Sequence, residues 1–554
     1  MKKKNMFMYW ATFFMIMATM LFYYSMKMLL KMKSMMMEFE LLKINSTELY
    51  FTVLMDWMST MFMSTVLIIS SMILLFSSNY MGKNKNEIKR FILLINLFIM
   101  SMMLMIVSPN LISIMLGWDG LGLTSYCLVI FYSSKKSYNS GMITCLTNRL
   151  GDIGLLIAIA WMMSYGSWHF MYYKEMFKES MSYLILMSCF TKSAQMPFYS
   201  WLPEAMSAPT PISALVHSST LVTAGVYLTI RFINKVNTSY LMMMSMLTMI
   251  MSSMCANFEF DLKKIIALST LSQLSMMMTS NFLGLKEISF LHLLTHAMFK
   301  SLLFMCAGIM IFYNMNNQDI RNLGMMNKTL PMTSSCFSIS TMALCGIPFM
   351  SGFYSKDTIL ENMSMNKMNM ITYVMMYSSL GLTMSYSLRT MYFLMMKKQN
   401  KSMSLKKKPM KMLKTSMILL TLFSVCIGSM LMWLLNLDLK LTTMTKTMKM
   451  NTTIMIIIGM WAGTESFSFN YYMYKNKFYE FNSKMWNIFK TMNTNQKMSF
   501  ILSLKMKNNL NLGWGEFYGA MGLSNNLMKM SKNMLTTKKN MFMMSILTWM
   551  IITM

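Results

Sequence analysis

Ten charged or titratable residues stand inside apolar runs of this 554-residue chain. They are Asp119 in IMLGWDGLGLTSYCLV, Arg149 and Asp152 in NRLGDIGLL, Lys192 in CFTKSAQMPFYSWLPEAM, His217 in PISALVHSSTLVTAGVYL, His292, His296 and Lys300 in LHLLTHAMFKSLLFMCAG, and Lys356 with Asp357 in CGIPFMSGFYSKDTIL. A charge at mid-bilayer costs at least about 2.5 to 3.5 kcal/mol, so each of these needs a reason. A lysine taken out of water holds its proton more weakly, and an approaching carboxylate restores that hold. Imidazoles, with a reference pKa near 6.5, pass protons onward with water. His292, His296 and Lys300 are spaced four apart, so on one helix they drift by about 40° per step and form a ladder about 12 Å long. The chemistry these types offer together is proton transfer.

Other readings of the same residues stay open. Arg149 and Asp152, three apart on one helix, also fit a structural ion pair. His217 also fits a hydrogen-bonded core histidine. His292 and His296 have the i, i+4 spacing of a metal pair, but the zinc-protease pattern H-E-x-x-H needs Glu where Leu293 stands. Snorkelling does not explain Lys192, Lys300 and Lys356, which lie deep in apolar helices. The eight cysteines contain no C-x-x-C and fit packing, not an iron-sulfur or zinc arrangement. No G-x-G-x-x-G follows a strand pattern, so the chain is expected to bind no flavin, NADH, iron-sulfur cluster or metal of its own.

The elements that must position these residues are membrane spans. Composition is 55% hydrophobic and 13% charged, against about 25% charged in a soluble domain, and the mean hydropathy is +0.43. The class is an all-α polytopic membrane protein. Fifteen spans are expected, near 6–30, 55–79, 90–107, 109–132, 141–164, 181–201, 210–234, 240–257, 261–280, 286–313, 331–365, 369–396, 414–436, 450–473 and 539–554. Two are interrupted, one by Pro197 five residues after Lys192, the other by Pro348 and Gly352 just before Lys356. The breaks are expected to set both lysines beside freed carbonyls. Matching broken helices in two halves point to a transporter built from inverted repeats. Residues 495–538 are too charged to span and too apolar for a free linker, and read as a lateral amphipathic helix ahead of a last anchoring span.

The net charge of +30 does not mark a nucleic-acid binder, because the lysines sit in loops between spans. The loop from Lys397 to Lys414, with eight lysines, falls on the same side as Lys2, Lys3 and Lys4, which the positive-inside rule assigns to the matrix or cytoplasm. Methionine occurs 86 times. It replaces Leu and Ile in helices at little cost, and an AT-rich genome reading an extra codon as Met, as animal mitochondria do, produces both the Met and the Lys excess.

GWDGLGLTSY, NRLGD, KSAQMPFYSWLPEAMSAPTPISALVHSSTLVTAGVYL, THAMFKSLLF and GFYSKD, in this order and spacing, resemble the antiporter-like proton-pumping chains of mitochondrial NADH:ubiquinone oxidoreductase, respiratory complex I. The resemblance is close over 50–400 and extends to the C-terminal third in layout. The wider family includes subunits of bacterial multi-subunit cation/proton antiporters, which remain the alternative; the long amphipathic stretch selects the complex I branch. The resemblance implies two inverted five-helix repeats, each with a broken helix and a half-channel, plus a long C-terminal lateral helix. Its domains would be 1–89, N-terminal helices; 90–235 and 240–397, the repeats; 398–480, two further spans; 481–538, the lateral helix region; and 539–554, the anchor. By the same resemblance, Asp119 is the key acid and Lys192 the lysine it pairs with. Asp152 and Arg149 are a further acid and its neighbour, His217, His292, His296 and Lys300 form the connecting axis, and Lys356 with Asp357 forms the exit-side pair.

The chain would then be a subunit of a proton-translocating NADH:ubiquinone reductase in the mitochondrial inner membrane, with no redox centre of its own. NADH, FMN, iron-sulfur clusters and ubiquinone would be handled by other subunits. Its partners would be other membrane-arm subunits, including antiporter-like neighbours along the lateral helix, and membrane lipids. Many members have Glu where Asp119 stands, and many have sixteen spans. One span fewer at the start places the N-terminus on the matrix side.

Overall fold

The computed structural model describes residues 2–44, 47–81, 84–170, 179–232, 238–365, 369–397, 411–435, 444–468, 477–483 and 485–553. The chain divides into two units, Met1–Met485 and Trp486–Met554.

In the first unit, helix α1 (Lys2–Lys31) buries Phe7, Ala11, Phe14 and Ala18, spaced four, three and four, while Tyr9, Phe13, Ile16 and Met20 face outward. That stripe packs on α2 (Trp57–Tyr80). Between them the chain forms an antiparallel hairpin of β1 (Met35–Ile44) and β2 (Thr47–Met55), with Phe39 opposite Phe51 and a bulge between Glu40 and Leu42. No strand was expected within 1–89. The β-favouring Phe39, Tyr50, Phe51 and Val53 account for it, in a segment that Glu38, Glu40, Lys43 and Glu48 make too charged to span.

Next come α3 (Lys85–Val107), α4 (Leu111–Val129), α5 (Lys135–Met162) and α6 (Glu179–Lys192), followed by the short α7 (Trp201–Glu204) and α8 (Thr210–Leu215). A π-helical segment, Val216–Thr220, joins α8 to α9 (Leu221–Phe232). Then follow α10 (Thr238–Phe258), α11 (Leu262–Phe282), α12 (Lys286–Tyr313), α13 (Met326–Thr329), α14 (Pro331–Cys345) and α15 (Ser351–Met365). The unit continues with α16 (Met370–Met391), extended by a π segment to Met396, α17 (Lys411–Leu435), α18 (Lys446–Ser468) and α19 (Lys477–Ser483). The first fourteen expected spans all overlap these helices; residues 233–234, 436 and 469–473 of three of them lie outside the described residues, and 181–201 and 331–365 are each split by a break. Five of the eight lysines of the basic loop, at 398, 401, 406, 407 and 408, lie outside the described residues.

Helix α2, the α8–α9 segment and α12 form the interior; Thr210–Ile230 and Ser289–Ile311 are buried throughout, and only the ends of these helices reach the surface. Outer helices carry an apolar stripe on both sides. In α3, Phe91, Ile95, Phe98, Met102 and Met105 are buried, whereas Leu93, Leu97, Met100 and Leu104 are exposed, as a lipid-facing helix requires. An ion pair ties α9 to the start of α2, with Arg231 Nη1 2.7 Å from the Asp56 carboxylate. Tyr227 Oη accepts from Arg231 Nε at 3.1 Å and donates to the Ile106 carbonyl at 3.1 Å.

Both stretches expected as repeats contain a broken helix followed by a helix with a π segment. The first break, Ser193–Ser200, separates α6 from α7 around Pro197. In the second, Gly346 at φ +78° ends α14 and Pro348 follows. Gly352 then passes so close to α14 that a Cβ there would stand 1.9 Å from the Ala343 carbonyl oxygen. Helix α17 crosses at the same place, where a Cβ on Gly428 would lie 2.4 Å from Ser351 Cα.

The second unit consists of α20 (Ile488–Lys507), a π-helical run Asn508–Gly515, α21 (Glu516–Tyr518) and α22 (Ala520–Thr553). One lateral helix over 495–538 and a separate anchor from 539 were expected. Instead the helix breaks at Gly519 (φ −91°, ψ −140°), and α22 runs through 538 and 539 unbroken. Glycine chemistry fixes the break there: a Cβ on Gly522 would lie 1.5 Å from the Phe517 carbonyl oxygen. No Gly or Pro interrupts the chain near 538, so nothing in the sequence ends a helix at that point.

Candidate functional site

At the first break, Lys192 ends α6 and is fully buried. Its ammonium donates to the Trp118 carbonyl of α4 at 3.2 Å and lies 4.7 Å from the centre of the Trp118 ring. Gly122, one turn on, leaves room for it; a Cβ there would be 3.7 Å from Nζ. Trp118 Nε1 donates to the Asp152 carboxylate at 2.8 Å. Arg149 lies 3.3 Å from Asp152 and 3.7 Å from Asp119. Asp119, Arg149, Asp152, Trp118 and Lys192 therefore form one chain of contacts across α4, α5 and α6.

Two expectations change in detail here. Among the described residues, Lys192 has no carboxylate within 4.0 Å, so the direct Asp119–Lys192 pair is replaced by an Asp119–Arg149 contact. The reason is placement: Asp119 and Arg149 lie toward the outside of the chain, with side chains 37% and 49% exposed, whereas Lys192 points inward. The acceptor of Lys192 is also a carbonyl of α4 and not one freed by its own broken helix. That freed carbonyl, of Thr191, accepts from Trp201 Nε1 at 2.9 Å.

Trp201 leads on to His217, whose ring lies 6.0 Å away centre to centre. His217 sits in the π segment, buried, with neither ring nitrogen bonded to protein among the described residues. Such π-bulges are frequent at functional sites. The π segment packs against α12, yet no hydrogen bond links His217 to the histidines there.

On α12 the ladder is real and wholly buried. The His292 and His296 rings are 6.3 Å apart, and His296 meets Phe299 edge to face at 5.5 Å. His292 Nδ1 shares a 2.8 Å hydrogen bond with Ser355 Oγ of α15. Lys300 Nζ donates to Ser269 Oγ of α11 at 2.5 Å. Both nitrogens of His296 lack a protein partner among the described residues. Buried polar groups in this condition call for water.

Ser355 is the neighbour of Lys356, which is buried and donates to the Leu344 carbonyl at the end of α14. Here the break does supply the acceptor, as expected. Asp357 and Lys356 line a common cavity of about 50 Å³, but among the described residues no ion pair joins them, so the expected Lys356–Asp357 pair is not a direct contact, Lys356 being turned to the Leu344 carbonyl instead. Sequence reasoning missed Trp118, Ser269 and Ser355. Trp118 adjoins Asp119 in GWDGLGL, and Ser269 belongs to a run of buried hydroxyls along α11 that hydropathy averages away. Among the described residues no three His, Cys, Asp or Glu side chains converge as a metal site would require.

Two discontinuous helices, each carrying a buried lysine, together with buried imidazoles within a many-span bundle, define an antiporter-like membrane subunit. The comparisons agree. The family model described as NADH:quinone oxidoreductase/Mrp antiporter matches residues 108–383, that of the complex I chain 5 N-terminus 41–92, and that of the NADH dehydrogenase subunit 5 C-terminus 386–554. NADH-ubiquinone oxidoreductase chain 5 of Anopheles gambiae is 47% identical over 525 residues, 92% of this chain and 90% of the relative. That of Aedes aegypti is 44% identical, covering 96% of this chain and 95% of the relative. In fold, the chain is similar to a solved Mrp complex from Dietzia, with TM-score 0.74 and 20% identity over 89% of this chain and 57% of that one. It is also similar to an archaeal membrane-bound sulfane sulfur reductase, with TM-score 0.69 and 17% identity over 84% and 94%. The chain belongs to the NADH-ubiquinone oxidoreductase chain 5 family.

Proposed function

We propose that this chain is a proton-translocating membrane subunit of mitochondrial complex I, in which ubiquinone reduction elsewhere drives proton movement across the inner membrane. The observation that supports it most is the pair of broken helices, each with a buried lysine, in a chain of this family. Asp119 and Arg149 face outward and Asp152 inward, so a charge change at Asp119 reaches Lys192 through Arg149, Asp152 and Trp118. A carboxylate drawn away from Lys192 favours loss of its proton, and one brought nearer restores it. His217 and His296, with free ring nitrogens, pass protons by way of water toward Lys300, and Ser355 links His292 to the helix of Lys356.

The chain holds no cofactor itself; NADH, FMN, iron-sulfur clusters and ubiquinone belong to neighbouring subunits. Its N-terminus lies on the matrix side with the basic loop, and the second unit lies along neighbouring antiporter-like chains, in contact with lipid. The match of residues 386–554 to the subunit 5 C-terminus favours this reading over a multi-subunit cation/proton antiporter. A mass-spectrometric inventory of what co-purifies in mild detergent tests it. Flavin and iron-sulfur subunits in the same particle are expected, and a particle of antiporter subunits alone overturns it.

A further inference from the structure

Helices α15 and α18 run in opposite directions past one another beside the second buried lysine. Lys356 and Asp357 share their cavity with Thr452 and Thr453 of α18. One turn further along α15, Glu361 lies 3.9 Å from Lys449, one turn earlier on α18. Beyond that, Ser364 Oγ reaches Met444 Sδ at 3.6 Å. Going outward from Lys356, the order is therefore the cavity, lined mostly by apolar side chains with Lys356, Asp357, Thr452 and Thr453 among its polar members, then an ion pair, then the last described turn of α15. The cavity measures about 50 Å³, on a scale where about 10–15 Å³ admits one water. The Glu361 side chain is 18% exposed and that of Lys449 69%.

We propose that Glu361 and Lys449 close the outward mouth of a water-filled passage from Lys356, and that Glu361 is the group that releases the proton. This rests on the proton-translocating reading above. Lys356 Nζ gives its proton through cavity water and Asp357 to the Glu361 carboxylate. Neutral Glu361 no longer attracts Lys449, the pair parts, and the proton leaves to bulk water. Re-ionised Glu361 then draws Lys449 back and shuts the mouth against return. Thr452 and Thr453 supply hydroxyls to the water in between.

The experiment uses whole complexes in vesicles, reading protons pumped per NADH oxidised together with labelling of Thr452→Cys by a charged thiol reagent added on the side where α18 begins. Wild-type complex, with exposed Cys127 and Cys426, is the labelling blank. Lys356→Met and Glu361→Gln are both expected to lower the proton yield, and Glu361→Asp to restore it. Adding Lys449→Ala should raise labelling at position 452 by about two- to fivefold, the range that loss of a partly exposed pair allows. If Lys356→Met loses pumping while Glu361→Gln keeps it and labelling ignores Lys449→Ala, the gate is wrong and the proton-translocating reading stands. If Lys356→Met pumps normally, both fall. Should Glu361→Gln fail to assemble, labelling in the Lys449→Ala background decides alone.

Discussion

Trp118 holds Lys192 from two sides, its carbonyl accepting from Nζ at 3.2 Å and its ring lying 4.7 Å away. The same indole donates to Asp152. Lys192 and Asp152 are thus joined through one rigid residue, whereas Asp119 acts one link further out, through Arg149.

Double-mutant cycles should follow that order. Asp152→Asn combined with Lys192→Met is expected to show the larger coupling, within about 0.5–3 kcal/mol for connected residues, and Asp119→Asn with Lys192→Met the smaller. The measurement is proton pumping in assembled complexes. A larger coupling for Asp119 would mean that its carboxylate reaches Lys192 directly in the working state.

The Asp56–Arg231 pair is a charge interaction of another kind. It joins helix ends, and among the described residues no hydrogen bond or ion pair connects it to the residues proposed to carry protons. The pair is partly buried, with side chains 15% and 17% exposed, so removing one partner costs less than the ~3–5 kcal/mol of a fully buried pair, but still leaves the other charge stranded. Asp56→Ala should therefore lower the thermal stability and yield of the complex, while complexes that survive pump a normal number of protons per NADH. A reduced proton yield in fully assembled Asp56→Ala complexes would bring Arg231 into the mechanism.

Gly428→Ala tests how tightly the second break is held. The added methyl group would lie 2.4 Å from Ser351 Cα, and backbone cannot yield as a flexible side chain does. Overpacking of this sort costs about 1–3 kcal/mol or more, here next to Lys356. The expected result is poor assembly on native gels. Wild-type assembly would show that α17 can slide away from the break.

Much of the bundle was legible because apolar length marks spans and because Pro and Gly mark breaks. The titratable residues were legible because charge inside oil is conspicuous. Direction was not. Whether Asp119 turns toward Lys192 or outward depends on how α4 is rotated, and no spacing within α4 records that rotation. The π segment at His217 was also hidden, since VHSST differs from an ordinary helical turn only in its backbone hydrogen bonds; Thr220 Oγ1 reaches back to the Leu215 carbonyl at 2.8 Å. The hairpin escaped because two strands of ten and nine residues are short beside the long helical runs around them. At the C-terminus, charge density indicated a boundary near 538, but the backbone follows Gly519 and Gly522.

The ladder on α12 admits the sharpest test, because its members can be changed in titration without much change in shape. Lys300 has one protein partner, Ser269, at 2.5 Å, and His296 has none among the described residues. Lys300→Arg keeps the charge but holds its proton, since Arg has a pKa above about 12. His296→Gln keeps polarity and approximate volume but cannot titrate. Ser269→Ala removes the hydroxyl and leaves the lysine able to titrate. If the ladder conducts, Lys300→Arg assembles yet pumps poorly, and His296→Gln pumps less unless water takes the place of the imidazole. Ser269→Ala should change pumping least, because a water can accept the ammonium proton in its stead. If the ladder only packs, losses should follow volume: the larger Arg would disturb assembly, and complexes that form would pump normally. Membrane potential per NADH oxidised, in complexes checked for full assembly, separates the two. Wild-type coupling in both Lys300→Arg and His296→Gln would leave α12 a structural helix, and the proton would have to pass from His217 to Lys356 by water alone.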